Sequence, residues 1–236
     1  MIDTHSHILP GVDDGARTIS DSVDIIRELA DQGVTDIIAT PHYICETNFM
    51  SPRKTNGELL KELKKLLSAA EINVNLYLGN EIYIDNKILD LLKAKLVSPL
   101  AGSKYLLIEM PLDEEFPSYL DYFEELIASG YQVVLAHPER YQIIQKDYEL
   151  IKELHDTGVL FQCNVGSFVG KYGKKAAKTV KKLAKDKLIF MLGSDTHRSG
   201  GKPYFSLAGK KLKRYFTDQE LKRILETNPR KIINHK

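Results

Sequence analysis

Short apolar runs alternate with longer stretches of helical period along this chain, and few folds accommodate that pattern. A strand followed by a helix that returns to a parallel strand is the unit it specifies. The runs 1–4, 34–40, 74–78, 105–108, 132–136, 159–163 and 188–192 read as seven strands. Helices are expected at 20–32, 55–70, 118–129, 146–157 and 176–185. The first carries Val23, Ile26, Leu29 and Ala30 on one face, with Ser20 as N-cap and Gly33 as its stop; Gly130 and Gly158 stop the third and fourth. With 236 residues, 43% of them hydrophobic, and no repeat, linker or composition break, the expectation is one domain spanning 1–236, a size at which an α/β barrel is a single unit.

The residues at the strand ends are more informative than the strands. His5 and His7 come just after the first, His42 after the second and Glu81 after the third; Glu109 ends the fourth, His137 comes after the fifth, and Asp195 and His197 after the seventh. The sixth leads only to Asn164. Parallel strands of a barrel deliver their C-terminal ends to one mouth, so these residues are expected to meet there. A single histidine is more often a packing residue than a ligand, and one HxH is a weak motif. Five of the chain's seven histidines fall at strand ends, however, and the coincidence outweighs the bland reading. His155, inside a helix, and His235 are assigned to the surface.

Alternate residues of an extended segment point the same way, so His5 with His7 and Asp195 with His197 suit chelation. Imidazole and carboxylate without thiolate suit Mn, Fe or Zn. Adding Asp14, from the segment GVDDG, gives four carboxylates and five histidines, more than one ion needs and about right for three. Three divalent ions outweigh four carboxylates, so a loaded site attracts a phosphate dianion.

Composition excludes several alternatives. Lys and Arg number 33 against 32 Asp and Glu, which gives no overall field for nucleic acid. No stretch approaches a membrane span, the start lacks a signal-peptide pattern, and Cys45 and Cys163 stand apart, so a cytoplasmic protein without disulfides is expected. Neither cysteine opens Cys-x5-Arg, so phosphate chemistry here does not use a thiolate.

The segments IDTHSHILPGVDDGA, ATPHY, GNEIYI, LIEMP, AHPERY, CNVGSFVGKYGKKA and SDTH together resemble the PHP (polymerase and histidinol phosphatase) family. Within it they resemble the bacterial manganese-dependent tyrosine phosphatases that act on capsule and exopolysaccharide tyrosine kinases. The resemblance implies a distorted TIM-like (β/α)7 barrel, the PHP fold. It implies two or three ions, Mn2+ foremost with Fe or Zn as alternatives: His5, His7, Glu81 and Asp195 at the first, Glu81, Glu109 and His137 at the second, Asp14, His42 and His197 at the third. It also implies a phosphotyrosine substrate on the tyrosine-rich C-terminal tail of a membrane-bound kinase. Arg140 matches one phosphate-binding arginine of the family. The second, a few residues beyond SDTH, is replaced by Lys202, with Arg198 as a further candidate.

The expected reaction is metal-assisted hydrolysis of a phosphomonoester with water as nucleophile. Arg140 and Lys202 would stabilise the equatorial oxygens and His197 would assist proton movement. Tyr43 and Phe168 are candidates to flank a phenyl ring, although aromatic residues near a site more often pack. A histidinol-phosphate phosphatase, a PHP nuclease and a metal-binding module without turnover are the alternatives. Lys171, Lys174, Lys175, Lys178, Lys181, Lys182 and Lys185 would form one basic stripe on a continuous helix, either a solvated face or a docking surface for an acidic segment or anionic lipid.

Overall fold

Every strand-to-strand ladder among the described residues is parallel. The computed structural model describes residues 1–113 and 119–234, so His235 and the first residue of the expected helix 118–129 lie outside the described residues. In chain order the elements are β1 (Ile2–Ser6), α1 (Ile19–Ala30), β2 (Asp36–Ala39), β3 (His42–Tyr43), α2 (Arg53–Ala69), β4 (Asn75–Leu78), β5 (Glu81–Tyr83), α3 (Ile88–Lys93), β6 (Tyr105–Glu109) and α4 (Leu120–Ala128). They continue with β7 (Gln132–Ala136), α5 (Gln142–Lys146), α6 (Glu149–Asp156), β8 (Leu160–Asn164), α7 (Gly173–Lys185), β9 (Ile189–Gly193), α8 (Tyr204–Leu212), α9 (Asp218–Lys222) and α10 (Asn228–Ile233).

The ladders form two sheets, β1-β2-β4 and β3-β5-β6-β7-β8-β9. The chain crosses directly from one to the other at two short interruptions. Thr40 and Pro41 separate β2 from β3, and Gly79 and Asn80 separate β4 from β5. Pro41 has no N–H to give to a ladder. Backbone bonds nevertheless continue across the break, from Gly79 N to Ala39 O (2.8 Å) and from Glu81 N to Pro41 O (3.1 Å). Gly79 is required there, because a Cβ would stand 2.8 Å from Leu100 Cδ2. The seven expected strands are therefore all present, and β3 and β5, beyond the ends of the second and third, are two short strands the sequence reading does not include. At the other side of the molecule β1 meets the segment after β9, with Asp195 N donating to His5 O (2.9 Å) and His7 N to Thr196 O (3.0 Å).

Side chains alternate along the strands and sort into two cores. Ile37, Leu106, Ile108, Val133 and Leu135 pack outward under the helices. Their sequence neighbours Ile38, Leu107, Val134 and Ala136 face a second cluster with Met191, closed by Leu100 and by Ile232 of α10. Ile38 comes from one sheet and the other strand residues from the second, so both sheets look onto one interior.

Helix ends follow their local chemistry with some corrections. Thr18, not Ser20, caps α1: its hydroxyl accepts from Asp21 N while the Asp21 carboxylate accepts from Thr18 N, a reciprocal box. Gly33, Gly130 and Gly158 take φ of 87°, 88° and 97° just beyond α1, α4 and α6, as stop residues should. The expected helix 146–157 is α6, which starts three residues later because the Asp147 carboxylate accepts from Glu149 N, and α5 before it is not expected from the sequence.

Candidate metal centre

All nine residues expected as ligands converge at the C-terminal ends of the strands. His5 Nε2 lies 3.1 Å from His7 Nε2, and both face Glu81 Oε2, at 3.0 and 3.3 Å. Asp195 Oδ1 is 3.7 Å from each of these two nitrogens. His137 Nε2 stands 2.9 Å from Glu81 Oε1 and 3.5 Å from Glu109 Oε1. His42 Nδ1 is 3.2 Å from Glu81 Oε2 and 3.5 Å from Glu109 Oε2. Asp14 Oδ1 sits 3.7 Å from His42 Nε2 and 3.3 Å from His197 Nε2. Three sets have donor atoms close enough to share an ion: His5, His7 and Glu81; His42, Glu81 and Glu109; and His7, Asp14, His42 and His197.

A ring of outer partners orients these donors. Gln162 uses its amide nitrogen on Cys163 O and Asn164 Oδ1, so its Oε1 accepts from His5 Nδ1 (2.9 Å) and leaves His5 Nε2 for the centre. Asp13 does the same for His7: its Oδ2 accepts from His7 Nδ1 (2.8 Å) and from His42 N (3.0 Å). Asp195 Oδ2 accepts from Asn164 Nδ2 (2.6 Å), Tyr172 OH (2.8 Å) and Arg140 Nη1 (3.0 Å), which turns Oδ1 toward the histidines. Glu139 ties the loop after β7 to β8, accepting from Asn164 N and from the Ser167 hydroxyl. Two site residues have left-handed backbone, His137 at φ 32° and Asp195 at φ 49°, so Asp195 and His197 do not belong to the regular extended run expected for them.

The chemistry of the set fits divalent cations. Glu81 Oε2, Asp195 Oδ1 and His42 Nδ1 are buried without a hydrogen-bond partner, although His42 Nδ1 and Glu81 Oε2 are 3.2 Å apart and Asp195 Oδ1 is 3.7 Å from His5 and His7 Nε2. Orphaned buried acceptors are costly unless a cation completes them. Burial holds the His42 imidazole down at about 4, so it presents a neutral lone pair at neutral pH. Burial opposes ionisation of Glu81, but the surrounding imidazoles, His5 foremost and with hydrogen bonds from His137 and His5, outweigh it and hold Glu81 well below the carboxylate range. For Glu109, burial and then the neighbouring Glu81 charge push the carboxyl well up. A hydrogen bond from His197 is the main reason Asp14 is lowered, to about 2.

A cavity of about 380 Å³ opens beside Asp195 and His197. Arg140, Lys171, Lys202 and Arg198 line it, together with Tyr172 and Tyr204. Arg140 lies 4.6 Å over the Tyr172 ring and Lys171 Nζ 4.7 Å from the same ring. Lys171 also donates to Asp195 O at 3.0 Å. Lys202 is exposed at the rim. Arg198 donates to Gly15 O, so its guanidinium clamps the loop carrying Asp13 and Asp14.

The structure decides the reading of two aromatic residues and corrects that of Lys171. Tyr43 and Phe168 are buried, Phe168 against Tyr215 and Phe216, and neither lines the cavity; its aromatic walls are Tyr172, Tyr204 and Phe205. Lys171 is not on the basic helix, because α7 starts at Gly173, and it turns toward the cavity instead. Asp13, Gln162 and Tyr172 join the site without having been singled out by the sequence pattern. The doubled Asp of GVDDG is the one available signal, since one carboxylate faces the donor set and its neighbour orients a histidine. His155 is exposed on α6, as expected.

The sequence and fold have close counterparts. CapC of Staphylococcus aureus is 34% identical over 227 residues, covering 96% of this chain and 86% of that one. The tyrosine-protein phosphatase YwqE of Bacillus subtilis is 37% identical over 199 residues, covering 84% and 77%. A solved structure from a study of YwqE and of CpsB from Streptococcus pneumoniae, described as unique metal-dependent tyrosine phosphatases, aligns with a TM-score of 0.90 at 30% identity. That alignment covers 99% of this chain and 94% of the other. The family model for capsular polysaccharide synthesis, CpsB/CapC, matches residues 1–234. With that match over nearly its whole length, and donor residues gathered from every sheet, the chain belongs to the CpsB/CapC family.

Proposed function

We propose that this chain is a metal-dependent protein tyrosine phosphatase that hydrolyses phosphotyrosine on a bacterial tyrosine kinase controlling capsule or exopolysaccharide synthesis. The observation that carries this function is the convergence of five histidines and four carboxylates, His137 and Asp195 adjoining the three donor sets, beside a cavity walled by cations and tyrosines. The two sheets, facing one interior and joined by backbone bonds between β1 and the segment after β9, support a distorted seven-stranded barrel in a single domain. No helix among the described residues is long and apolar enough to cross a membrane. Two free cysteines accord with a cytoplasmic setting.

Manganese is the proposed ion, two or three per chain. His5, His7, Glu81 and Asp195 would hold the first, Glu81, Glu109 and His137 the second, and Asp14, His42 and His197 the third. Divalent ions in such a set polarise phosphoryl oxygens and acidify water. The chain's own residues do the rest. Arg140, fixed by Asp195 Oδ2 and by the Tyr172 ring, presents its remaining N–H groups to the equatorial oxygens. Lys202 adds a mobile positive charge at the rim. His197, part-exposed between Asp14 and the cavity, is the candidate to return a proton to the leaving tyrosine oxygen. Tyr204 and Tyr172 give the substrate ring an aromatic wall.

The test is a steady-state assay of chelated and Mn-reloaded protein on a phosphotyrosine peptide, histidinol phosphate and p-nitrophenyl phosphate. Peptide turnover that is lost on chelation and restored by Mn is expected. Preference for histidinol phosphate would replace the substrate class, and no turnover of any substrate after reloading would overturn the enzymatic reading.

A further inference from the structure

A second concavity, of about 1050 Å³, lies on the outer surface between α7 and the α5–α6 hairpin. All six lysines of α7 and Lys146 line it, over a floor that includes Ile144, Ala177, Tyr148 and Tyr215. Only two carboxylates share the lining, and both are engaged: Asp147 accepts from Glu149 N, and Glu149 pairs with Lys152. Among the described residues none of the seven lysines has a carboxylate within ion-pair distance; Lys182 instead caps the Tyr148 ring at 3.7 Å. The whole chain carries a net charge of only +1, so this accumulation is local and not compositional.

A helix face that merely needs solvation has no reason to repeat one charge. Lys174 with Lys178, Lys178 with Lys182, and Lys181 with Lys185 stand four residues apart on α7, where like charges disfavour the helix. An anionic partner relieves that repulsion. The shape selects among polyanions: a concave, partly apolar cleft of this volume exceeds what a small metabolite fills and suits a polypeptide segment, whereas a bilayer presents a flat surface. Its position adds a direction. α7 begins one residue after Tyr172, which lines the catalytic cavity, so a chain whose phosphotyrosine enters that cavity can continue along the lysines.

We propose that the lysine-lined cleft between α7 and the α5–α6 hairpin is a docking groove for an acidic segment of the protein substrate. The inference deepens the phosphatase reading and rests on it for the link to turnover, but the binding itself is measurable without catalysis.

The experiment compares the Mn-loaded chain with the double variant Lys178→Glu, Lys182→Glu on three probes. These are p-nitrophenyl phosphate, a phosphotyrosine peptide carrying a run of glutamates, and the same peptide with the glutamates replaced by serines. The variant is expected to lose about tenfold or more in kcat/KM on the acidic peptide only, mostly through KM, and to lose the salt dependence of that rate. Equal losses on all three probes, or none, would overturn the groove. Fluorescence anisotropy with the unphosphorylated glutamate peptide separates docking from chemistry. Binding that weakens in the variant supports the groove even if the phosphatase reading fails, and unchanged binding rejects it. Sedimentation with phosphatidylserine vesicles is the competing arm: charge-sensitive vesicle binding with no effect on the peptide would overturn the polypeptide assignment in favour of a lipid surface. Lys175→Gln with Lys181→Gln, which neutralises without reversing charge, should give the same pattern at smaller size and guards against a folding artefact.

Discussion

Tyr172 illustrates how much of this site is arranged by residues outside the donor set. Its hydroxyl donates to Asp195 Oδ2, its ring faces Arg140 on one contact and Lys171 on another, and burial followed by the Asp195 charge pushes its phenol up, so it stays a donor. Tyr172→Phe keeps both ring contacts and removes one of the three donors that aim Asp195. Losing a partner of this kind typically costs about 10–100-fold in metal affinity or activity. A fall of about tenfold in kcat with little change in thermal midpoint is expected, and a larger fall for Tyr172→Ala; equal kcat in wild type and Tyr172→Phe would mean the hydroxyl positions nothing. Arg140→Ala should cost about a hundredfold in kcat/KM, roughly 3 kcal/mol, as one transition-state donor lost from a partly dry site. Lys202→Ala should cost less, because a rim ammonium is a weaker positioner than a braced guanidinium; an unchanged kcat/KM would remove Lys202 from the site. The convergence of eight of the nine proposed donors is legible in the sequence because their residue types are rare at strand ends and recur there, whereas Asp14 lies in the loop between β1 and α1. Gln162 and Tyr172 are not legible, since an outer hydrogen bond leaves no mark on residue type or spacing. Tyr43 and Phe168 follow the commoner fate of an aromatic beside a motif, which has a core to enter as well as a cavity to line, and here the core takes both.

Helix boundaries are readable where side chains close them locally and unreadable where geometry departs from the α period. Glycine stops after α1, α4 and α6 are visible in the sequence, whereas no helix is expected from the pattern beyond residue 185. For α9 and α10 the reason is physical: they are 5 and 6 residues long, and a π-helical stretch, Arg223–Thr227, sits between them and dephases any 3.6-residue pattern, whereas α8, as long as α4 at 9 residues, has no such cause. β3 and β5, which follow the breaks at Thr40–Pro41 and Gly79–Asn80, are not legible in the sequence, because apolar character runs up to each break and only two or three strand residues come after it. At α9 the local chemistry is complete, with Thr217 and Glu220 forming a reciprocal capping box and Lys187 Nζ 3.1 Å from Glu220 Oε1. The bond from Thr217 N is the largest cause holding the Glu220 carboxyl at about 2. A folded value below the unfolded one means the contribution is present above about pH 4.5 and is lost as pH falls toward 2. Thr217→Ala should therefore cost about 1 kcal/mol at neutral pH. Glu220→Gln should flatten the acid limb of the stability curve between those values, and an acid limb that keeps its wild-type slope in urea titrations would dissociate Glu220 from acid unfolding.

At the scale of the molecule, the donor set is a cost to the fold until it is filled. Its members come from both sheets, with His5 on β1 and His42, Glu81 and Glu109 on the strands of the other, so each sheet's position depends on charges contributed by its neighbour. The parallel strand order is legible in the sequence, but this dependence is not, because it exists only once distant strand ends meet. Without cations, Glu81 and Glu109 repel each other, and Glu109 is raised by burial and by that repulsion. A carboxyl raised in the folded state contributes stability below its unfolded value and loses it as pH rises, so the metal-free protein should weaken from acid toward neutral pH on this account. Glu109→Gln keeps the shape and removes the charge. In the chelated protein the substitution should raise the thermal midpoint, most at high pH and not at all below the carboxylate range. In the Mn-loaded protein the sign should reverse, because a weaker site loses the stabilisation that bound ligand confers on the native state, about 1.4 kcal/mol for each tenfold loss of affinity. For a chain of this size each kcal/mol moves the midpoint by roughly 2–4 °C, so both shifts are measurable by differential scanning calorimetry. The two melting curves should cross between chelated and loaded samples. Glu109→Gln shifting both midpoints in the same direction would mean that Glu109 acts in packing alone and holds no ion.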